Sequence, residues 1–198
     1  MIALIDYGAG NLQSVRNTLE AIGAEYRVHT SPEGLGDALK IIMPGVGHFG
    51  QMMRTFEERR LREAVLERIA AGVPLLGICV GLQCLFEGSE EAPEARGLGL
   101  FPGVVTRFPA DARVPHMGWN TLDRRTPCKL LDGLAENPYV YFAHSYYAPL
   151  NESTAASCTY GKTYTAVIQH GNLYAVQFHP ERSGPVGLRV MRNFVELC

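Results

Sequence analysis

The chain has 198 residues, 46% of them hydrophobic, enough for one sizeable core. Twenty acidic residues against eighteen basic give a net charge of −2, and no basic run stands out, which argues against a nucleic-acid partner. No apolar run reaches transmembrane length, and Met1-Ile2-Ala3-Leu4-Ile5-Asp6 is too short and lacks the basic residues of a signal peptide. The sequence therefore reads as a soluble, cytoplasmic protein without a membrane partner.

Residues 2–6 form a continuous apolar run closing in Asp6, as in a strand buried on both faces of a parallel sheet. The Gly-rich turn 7–11 follows, then a helical face of Leu12, Val15, Leu19 and Ile22 that Gly23 stops. Gly8 and Gly10 also fit the opening of a dinucleotide-binding turn, but Gln13 stands where the third glycine belongs, which favours a plain strand-to-helix turn. Further strands are expected at Tyr26–His29, 39–43 and 75–78. A single helix is expected over 52–71, with Phe56, Leu61, Val65 and Ile69 on one face, and another over 82–87. This alternation predicts a parallel sheet with helices on both faces and a ligand site beyond the carboxyl ends of the strands. Residues 8–11, the loop 44–50 and Cys79 then share one rim.

Past residue 88 the pattern changes to short β-like runs at 104–108, 139–142 and 163–168, with Gly171-Asn172 as a hairpin turn. These runs extend the sheet or form a small mixed sheet beside it. A strand leads into Phe178, and a helix from about Pro185 carries Leu188, Met191 and Val195. No repeat or linker divides the chain, so residues 1–198 are expected to form one domain. The five cysteines (79, 84, 128, 158, 198) are scattered, without Cys-x-x-Cys or a neighbouring histidine at zinc spacing. Neither disulfides, a metal nor a cofactor is expected.

Two stretches carry chemistry. Gly77-Ile78-Cys79-Val80-Gly81 has the grammar of a nucleophile elbow written with cysteine, in which a sharp turn lifts the side chain above the sheet. The two glycines belong where side chains would clash, and a helix starting at Val80 would favour the thiolate. Phe178-His179-Pro180-Glu181 supplies a base and its orienter. Residues two apart in an extended segment face one side, so Glu181 can hold the His179 ring. Taken alone, Cys79 also fits a buried structural cysteine and His179 a turn histidine. Together the three residues form a complete acyl-transfer set. The backbone N–H groups of Val46 and Gly47, with that of Val80, are candidate oxyanion donors, and the glycines let that peptide flip.

Gly-Ile-Cys-Val-Gly-Leu-Gln with Phe-His-Pro-Glu resembles the class I (triad) glutamine amidotransferases. Pro-Gly-Val-Gly-His-Phe (44–49), Asp-Tyr-Gly-Ala-Gly-Asn (6–11) and Pro-His-Met-Gly-Trp-Asn (115–120) narrow the resemblance to the glutaminase subunits of imidazole glycerol phosphate synthase, over the whole chain. The resemblance implies an α/β fold, a flavodoxin-like three-layer sandwich with a mostly parallel central sheet and a small additional mixed or antiparallel sheet. It implies that Cys79 attacks the glutamine amide, His179 moves protons, Glu181 orients His179, and a thioester is hydrolysed to glutamate. Gln83 and Glu91 would contact L-glutamine, with the backbone at Ser145 and Tyr146 holding its amino-acid end. Ammonia would pass to a (β/α)8-barrel cyclase subunit in a heterodimer, docked at Asn11, Trp119, Tyr141 and Arg182. His48, His116 and His144 fit local hydrogen bonding better than catalysis. Three alternatives stay open on sequence: a glutaminase serving another pathway, a stand-alone cysteine hydrolase, and a non-catalytic binding subunit.

Overall fold

The structure, a computed structural model, describes residues 1–8 and 12–198. The first half alternates strand and helix: β1 (Ile2–Ile5), α1 (Leu12–Ala21), β2 (Tyr26–His29), β3 (Lys40–Gly45), α2 (Phe49–Glu58), α3 (Leu61–Ala70), β4 (Leu75–Cys79) and the single turn α4 (Val80–Gln83). The second half is mostly strand: β5 (Phe86–Ser89), β6 (Phe101–Arg107), β7 (His116–Thr121), β8 (Asp123–Arg124), β9 (Tyr139–His144), β10 (Tyr146–Tyr147), β11 (Thr154–Tyr160), β12 (Lys162–His170) and β13 (Leu173–Val176), closed by α5 (Gly184–Leu197).

The main sheet runs β2-β1-β3-β4-β13-β12-β11-β8. Its first five strands are parallel, in the order of a flavodoxin-like sheet, and the rest pair antiparallel. β1, β4 and β13 are buried along their whole length, which is why they read as unbroken apolar runs. Right-handed crossovers leave β1 and β3 in opposite directions, so α1 lies on one face and α2–α3 on the other; α5 packs with α1. Both sequence alternatives for the second half occur at once. β11 and β12 extend the main sheet, while β10-β6-β5 form a small mixed sheet and β7-β9 an antiparallel pair.

Two helices differ from expectation. The expected helix over 52–71 is two helices, broken at Arg60, which sits at φ 54°. Arg59 is drawn to the Asp6 carbonyl (2.7 Å) and Arg62 to the Gly97 carbonyl (2.8 Å), so the chain turns between two anchors. The expected helix over 82–87 stops after Gln83. The carbonyls of Cys84, Leu85, Phe86 and Glu87, which would continue it, accept instead from the amides of Leu98, Leu100, Gly99 and Gly97. This segment becomes β5. Among the described residues no helix is long and apolar enough to cross a membrane, and the five cysteines are free.

Candidate active site

Parallel register brings the site together. β3 and β4 pair Gly45 with Cys79, and β4 and β13 pair Ile78 with Val176, so the exits of all three strands meet at one edge. Cys79 ends β4 at φ 53°, ψ −108°, a conformation that costs a non-glycine residue roughly 1–3 kcal/mol. The surroundings enforce it: a Cβ on Gly77 would meet the Gly81 carbonyl oxygen at 2.8 Å, and one on Gly45 would meet the Gly81 nitrogen at 2.3 Å. α4 is a single turn of four residues, too short for the dipole that a longer helix from Val80 would aim at the sulfur, so a side chain is the stronger charge partner.

That side chain is His179. Its Nδ1 lies 2.9 Å from Glu181 Oε1, and both side chains are almost fully buried. The contact does not come from an extended strand, as expected, but from a 3₁₀ turn over Pro180–Arg182 that curls Glu181 back under the ring. Burial pulls the His179 imidazole down. The charge and hydrogen bond at Cys79 and the pairing with Glu181 outweigh it and push it up to about 10. The ring is therefore an imidazolium at neutral pH, held between sulfur and carboxylate.

A cavity of about 400 Å³ opens above Cys79. Of the residues named from sequence, Val46, Gly47, Val80, Gln83, Glu91, Ser145, Tyr146, His179 and Arg182 line it. Glu181 stands behind His179. Trp119 and Tyr141 lie off the cavity on the β7–β9 pair, in edge-to-face contact at 6.0 Å, and Trp119 is 55% exposed. Asn11 falls outside the described residues. Pro115, Met117, Ala143 and His144 also line the cavity and were not singled out as wall residues. Their signal was present in part: Met117 shares the face of β7 that carries Trp119, two positions on.

Several of these groups already have partners. The Val46 N–H, a candidate oxyanion donor, gives its hydrogen to the Tyr7 hydroxyl at 3.1 Å. Burial pushes the Tyr7 phenol well up, so it stays a neutral acceptor. Glu91 Oε2 accepts from the Phe49 N–H at the start of α2 (2.7 Å), and His48 Nδ1 accepts from Gly50 N–H (3.1 Å). The segment from Val46 to Phe49 is thus held at both ends, with Gly47 at φ 103° between them. The Gln83 amide donates to the Tyr146 carbonyl (2.9 Å) and to Gln177 Oε1 (3.2 Å), and Gln177 Nε2 reaches Cys79 Sγ at 3.6 Å. Gln177 was not foreseen. Its position two residues before His179, in a segment that reads as a strand from sequence, was the available clue; in the structure β13 ends at Val176, just before it.

Behind the cavity lies a buried aromatic cluster. His144 Nδ1 faces the Tyr146 carbonyl at 2.8 Å, and a carbonyl only accepts, so Nδ1 carries the hydrogen. His144 Nε2 then accepts from the Tyr164 hydroxyl, which accepts in turn from His116 Nδ1–H, both at 3.2 Å. Burial pulls His144 down to about 3 and His116 to about 4.

These shifts predict acid sensitivity. An unfolded histidine titrates near 6.5, so below that pH the unfolded chain takes up protons that folded His116 and His144 refuse. By pH 5 this removes about 2 kcal/mol for each. His179 has the opposite sign. Its raised value gives stability that is complete below about 6.5 and is lost as pH rises through about 10, so it returns roughly 1 kcal/mol between pH 7.5 and 5. The net loss of ~3 kcal/mol lowers the melting temperature by roughly 6–12 °C over that interval. Thermal unfolding as a function of pH checks this, and a flat midpoint would contradict it.

Known proteins resemble this chain in sequence and in fold. A family model described as class-I glutamine amidotransferase matches residues 3–198. A protein of Methanothermobacter thermautotrophicus described as imidazole glycerol phosphate synthase subunit HisH is 50% identical over 198 residues, 100% of this chain and 98% of that protein. One of the same description from Deinococcus radiodurans is 48% identical over 197 residues, 98% of this chain and 92% of that protein. A solved structure described as a glutamine amidotransferase superposes with a TM-score of 0.78 at 23% identity, over 100% of this chain and 98% of that chain, a likeness of fold.

Proposed function

The chain belongs to the class-I glutamine amidotransferase family, and from that membership we propose that it is the glutaminase subunit of an imidazole glycerol phosphate synthase, a cytoplasmic enzyme of histidine biosynthesis. The observation that carries the reading is that Cys79 and His179, with Glu181 paired to the His179 ring at 2.9 Å, line one cavity sized for an amino acid.

In this reading the Cys79 thiolate attacks the side-chain amide carbon of L-glutamine, and the carbonyl π electrons move to oxygen. The His179 imidazolium gives its proton to the departing nitrogen, and the C–N bond breaks to leave a thioester and ammonia. His179, now neutral, takes a proton from water as the water oxygen attacks the thioester. Collapse of that intermediate releases glutamate and restores the thiolate–imidazolium pair. Glu181 keeps the ring oriented and charged throughout. Gln83, Glu91, Ser145 and Tyr146 form the substrate cradle, with Val46, Gly47 and Val80 facing the developing oxyanion. No cofactor takes part.

The ammonia passes to a (β/α)8-barrel cyclase subunit, in which a nucleotide intermediate is converted to imidazole glycerol phosphate and an aminoimidazole carboxamide ribonucleotide. The docking face is the rim beside the cavity, where Trp119, Tyr141 and Arg182 stand. The resemblance adds Asn11, which lies outside the described residues, to the contacts with the partner. Met117 and Tyr139, 65% and 62% exposed, extend it as an apolar strip along β7–β9.

The Val46 N–H bond to Tyr7 supports a resting state that lacks one oxyanion donor. A missing donor costs about 3 kcal/mol of transition-state stabilisation, so turnover by the isolated chain is expected to rise about 100-fold when the cyclase subunit and its nucleotide ligand are added. Tyr7→Phe, which removes the competing acceptor, is expected to raise the isolated chain's rate about fivefold. Steady-state glutaminase assays measure both. Equal rates with and without the partner would defeat the partnered reading in favour of a stand-alone hydrolase.

A further inference from the structure

We propose that Gln177 is a catalytic residue of this site: its carboxamide donates a hydrogen bond to the Cys79 sulfur and holds the thiolate, and Gln83 and the Tyr146 carbonyl fix it in the donating orientation. The inference deepens the glutaminase reading and rests on it.

Three observations carry it. Gln177 has no exposed surface, so its amide is not a solvated group that happens to lie nearby. Its backbone N–H donates to the Ala166 carbonyl at 2.9 Å, which continues the ladder past the end of β13 and sets Gln177 beside Cys79. Its Nε2 stands 3.6 Å from Sγ, a hydrogen-bond distance for sulfur.

The orientation follows from an acceptor that cannot reverse its role. The Tyr146 carbonyl can only accept, so Gln83, 2.9 Å away, must present its NH₂ there. That same NH₂ faces the Gln177 side chain at 3.2 Å, so Gln177 must present oxygen to Gln83. The Gln177 NH₂ is then left for the sulfur. A flipped Gln177 would set two NH₂ groups against each other and aim a carbonyl oxygen at a thiolate. A carboxamide suits the task because it donates without titrating and does not compete with His179 for the proton. The chain also links nucleophile and substrate cradle, since Tyr146 lies on the cavity wall.

Besides His179 and Glu181, the charged groups facing the sulfur are Glu91 and Arg182 on the cavity wall. Tyr7, Cys84 and Tyr164, and His144 beside them, are held neutral by burial.

The test is the pH dependence of Cys79 alkylation by iodoacetamide in the full chain, read by mass spectrometry, for wild type, Q177L and Q177E. Iodoacetamide reports the thiolate and needs no glutamine site. Q177L is expected to move the midpoint up by about one pH unit and to slow alkylation about tenfold at pH values below the wild-type midpoint. Q177E keeps the volume but sets a carboxylate against the thiolate, and is expected to move the midpoint further. Should one variant fail to fold, the other carries the test. Wild-type profiles in folded variants would overturn the assignment, including a case in which only the melting temperature falls. Parallel glutaminase assays separate the two ideas. A wild-type chain that alkylates as a thiolate but releases no ammonia with its partner defeats the proposed function alone. Turnover with unmoved profiles in the variants defeats the role of Gln177 alone.

Discussion

Cys79→Ala is expected to abolish glutamine-driven synthesis by the assembled enzyme and to leave synthesis from added ammonium at the wild-type rate. The sulfur forms the bond that the proposed reaction turns on, and methyl offers no nucleophile. Removing the nucleophile of a triad typically costs on the order of 10⁶ in rate, with oxyanion donors and binding supplying the small remainder. The substitution deletes one buried atom of a side chain that is 3% exposed, and the alanine keeps the same backbone. The fold and the proposed docking rim around Trp119 and Arg182 are therefore retained. Ammonia entering the partner from solvent bypasses the cavity, so the second activity survives. The measurement is a pair of synthesis assays on one preparation, one fed glutamine and one fed an ammonium salt. Loss of both activities would make Cys79 a structural cysteine, as the residue taken alone allows.

The legibility of the site follows from the distance over which each signal acts. The elbow at Cys79 and the pair His179 and Glu181 are local: five residues specify one and three the other, and turn chemistry or a short reach decides both. The parallel half was also open to reading, because β1, β4 and β13 are buried on both faces and carry no alternation that could mislead. The break at Arg60 was hidden. The helical face runs through it from Phe56 to Leu61 and Val65, and only the distant carbonyls of Asp6 and Gly97 dictate the turn. The end of α4 was hidden for the same reason, since the amides that take the carbonyls of residues 84–87, just beyond it, come from residues 97–100. β7, β8, β10 and β11 were missed for different reasons: β7 and β10 belong to small sheets and β8 is a two-residue edge strand, while β11 is buried in the main sheet but written in Thr, Ala, Ser and Cys, without the apolar run that marks a core strand. Gln177 lies between the two cases. Its spacing from His179 was visible, but its role appears only once Gln83 and the Tyr146 carbonyl stand beside it.

Gly81→Ala is expected to cost at least ~3 kcal/mol of stability and to lower glutaminase turnover at least 100-fold. A Cβ at position 81 would stand 2.1 Å from the Met43 carbonyl oxygen and 3.2 Å from its carbon. This neighbour is backbone of β3, paired in register with β4 at Gly77, so no side-chain rotation relieves the contact. The elbow itself must lift, by about 1 Å to reach ordinary contact, and overpacking of this kind costs typically 1–3 kcal/mol or more. The same lift moves Cys79 away from His179, Gln177 and the Val46 loop together. A misplacement of about 1 Å at reacting atoms is enough for a 100-fold loss. Gly36→Ala is the matched control. Nothing stands within 4 Å of its Cβ, and its backbone is not left-handed, so it is expected to be neutral or to stabilise by up to ~1 kcal/mol. Urea unfolding and glutaminase assays on both variants, with ammonium-driven synthesis as the check that the complex still assembles, decide the matter. A Gly81→Ala protein with wild-type midpoint and turnover would mean that β3 does not brace the elbow, and that the strained backbone at Cys79 is set by something other than the meeting of Gly45, Gly77 and Gly81.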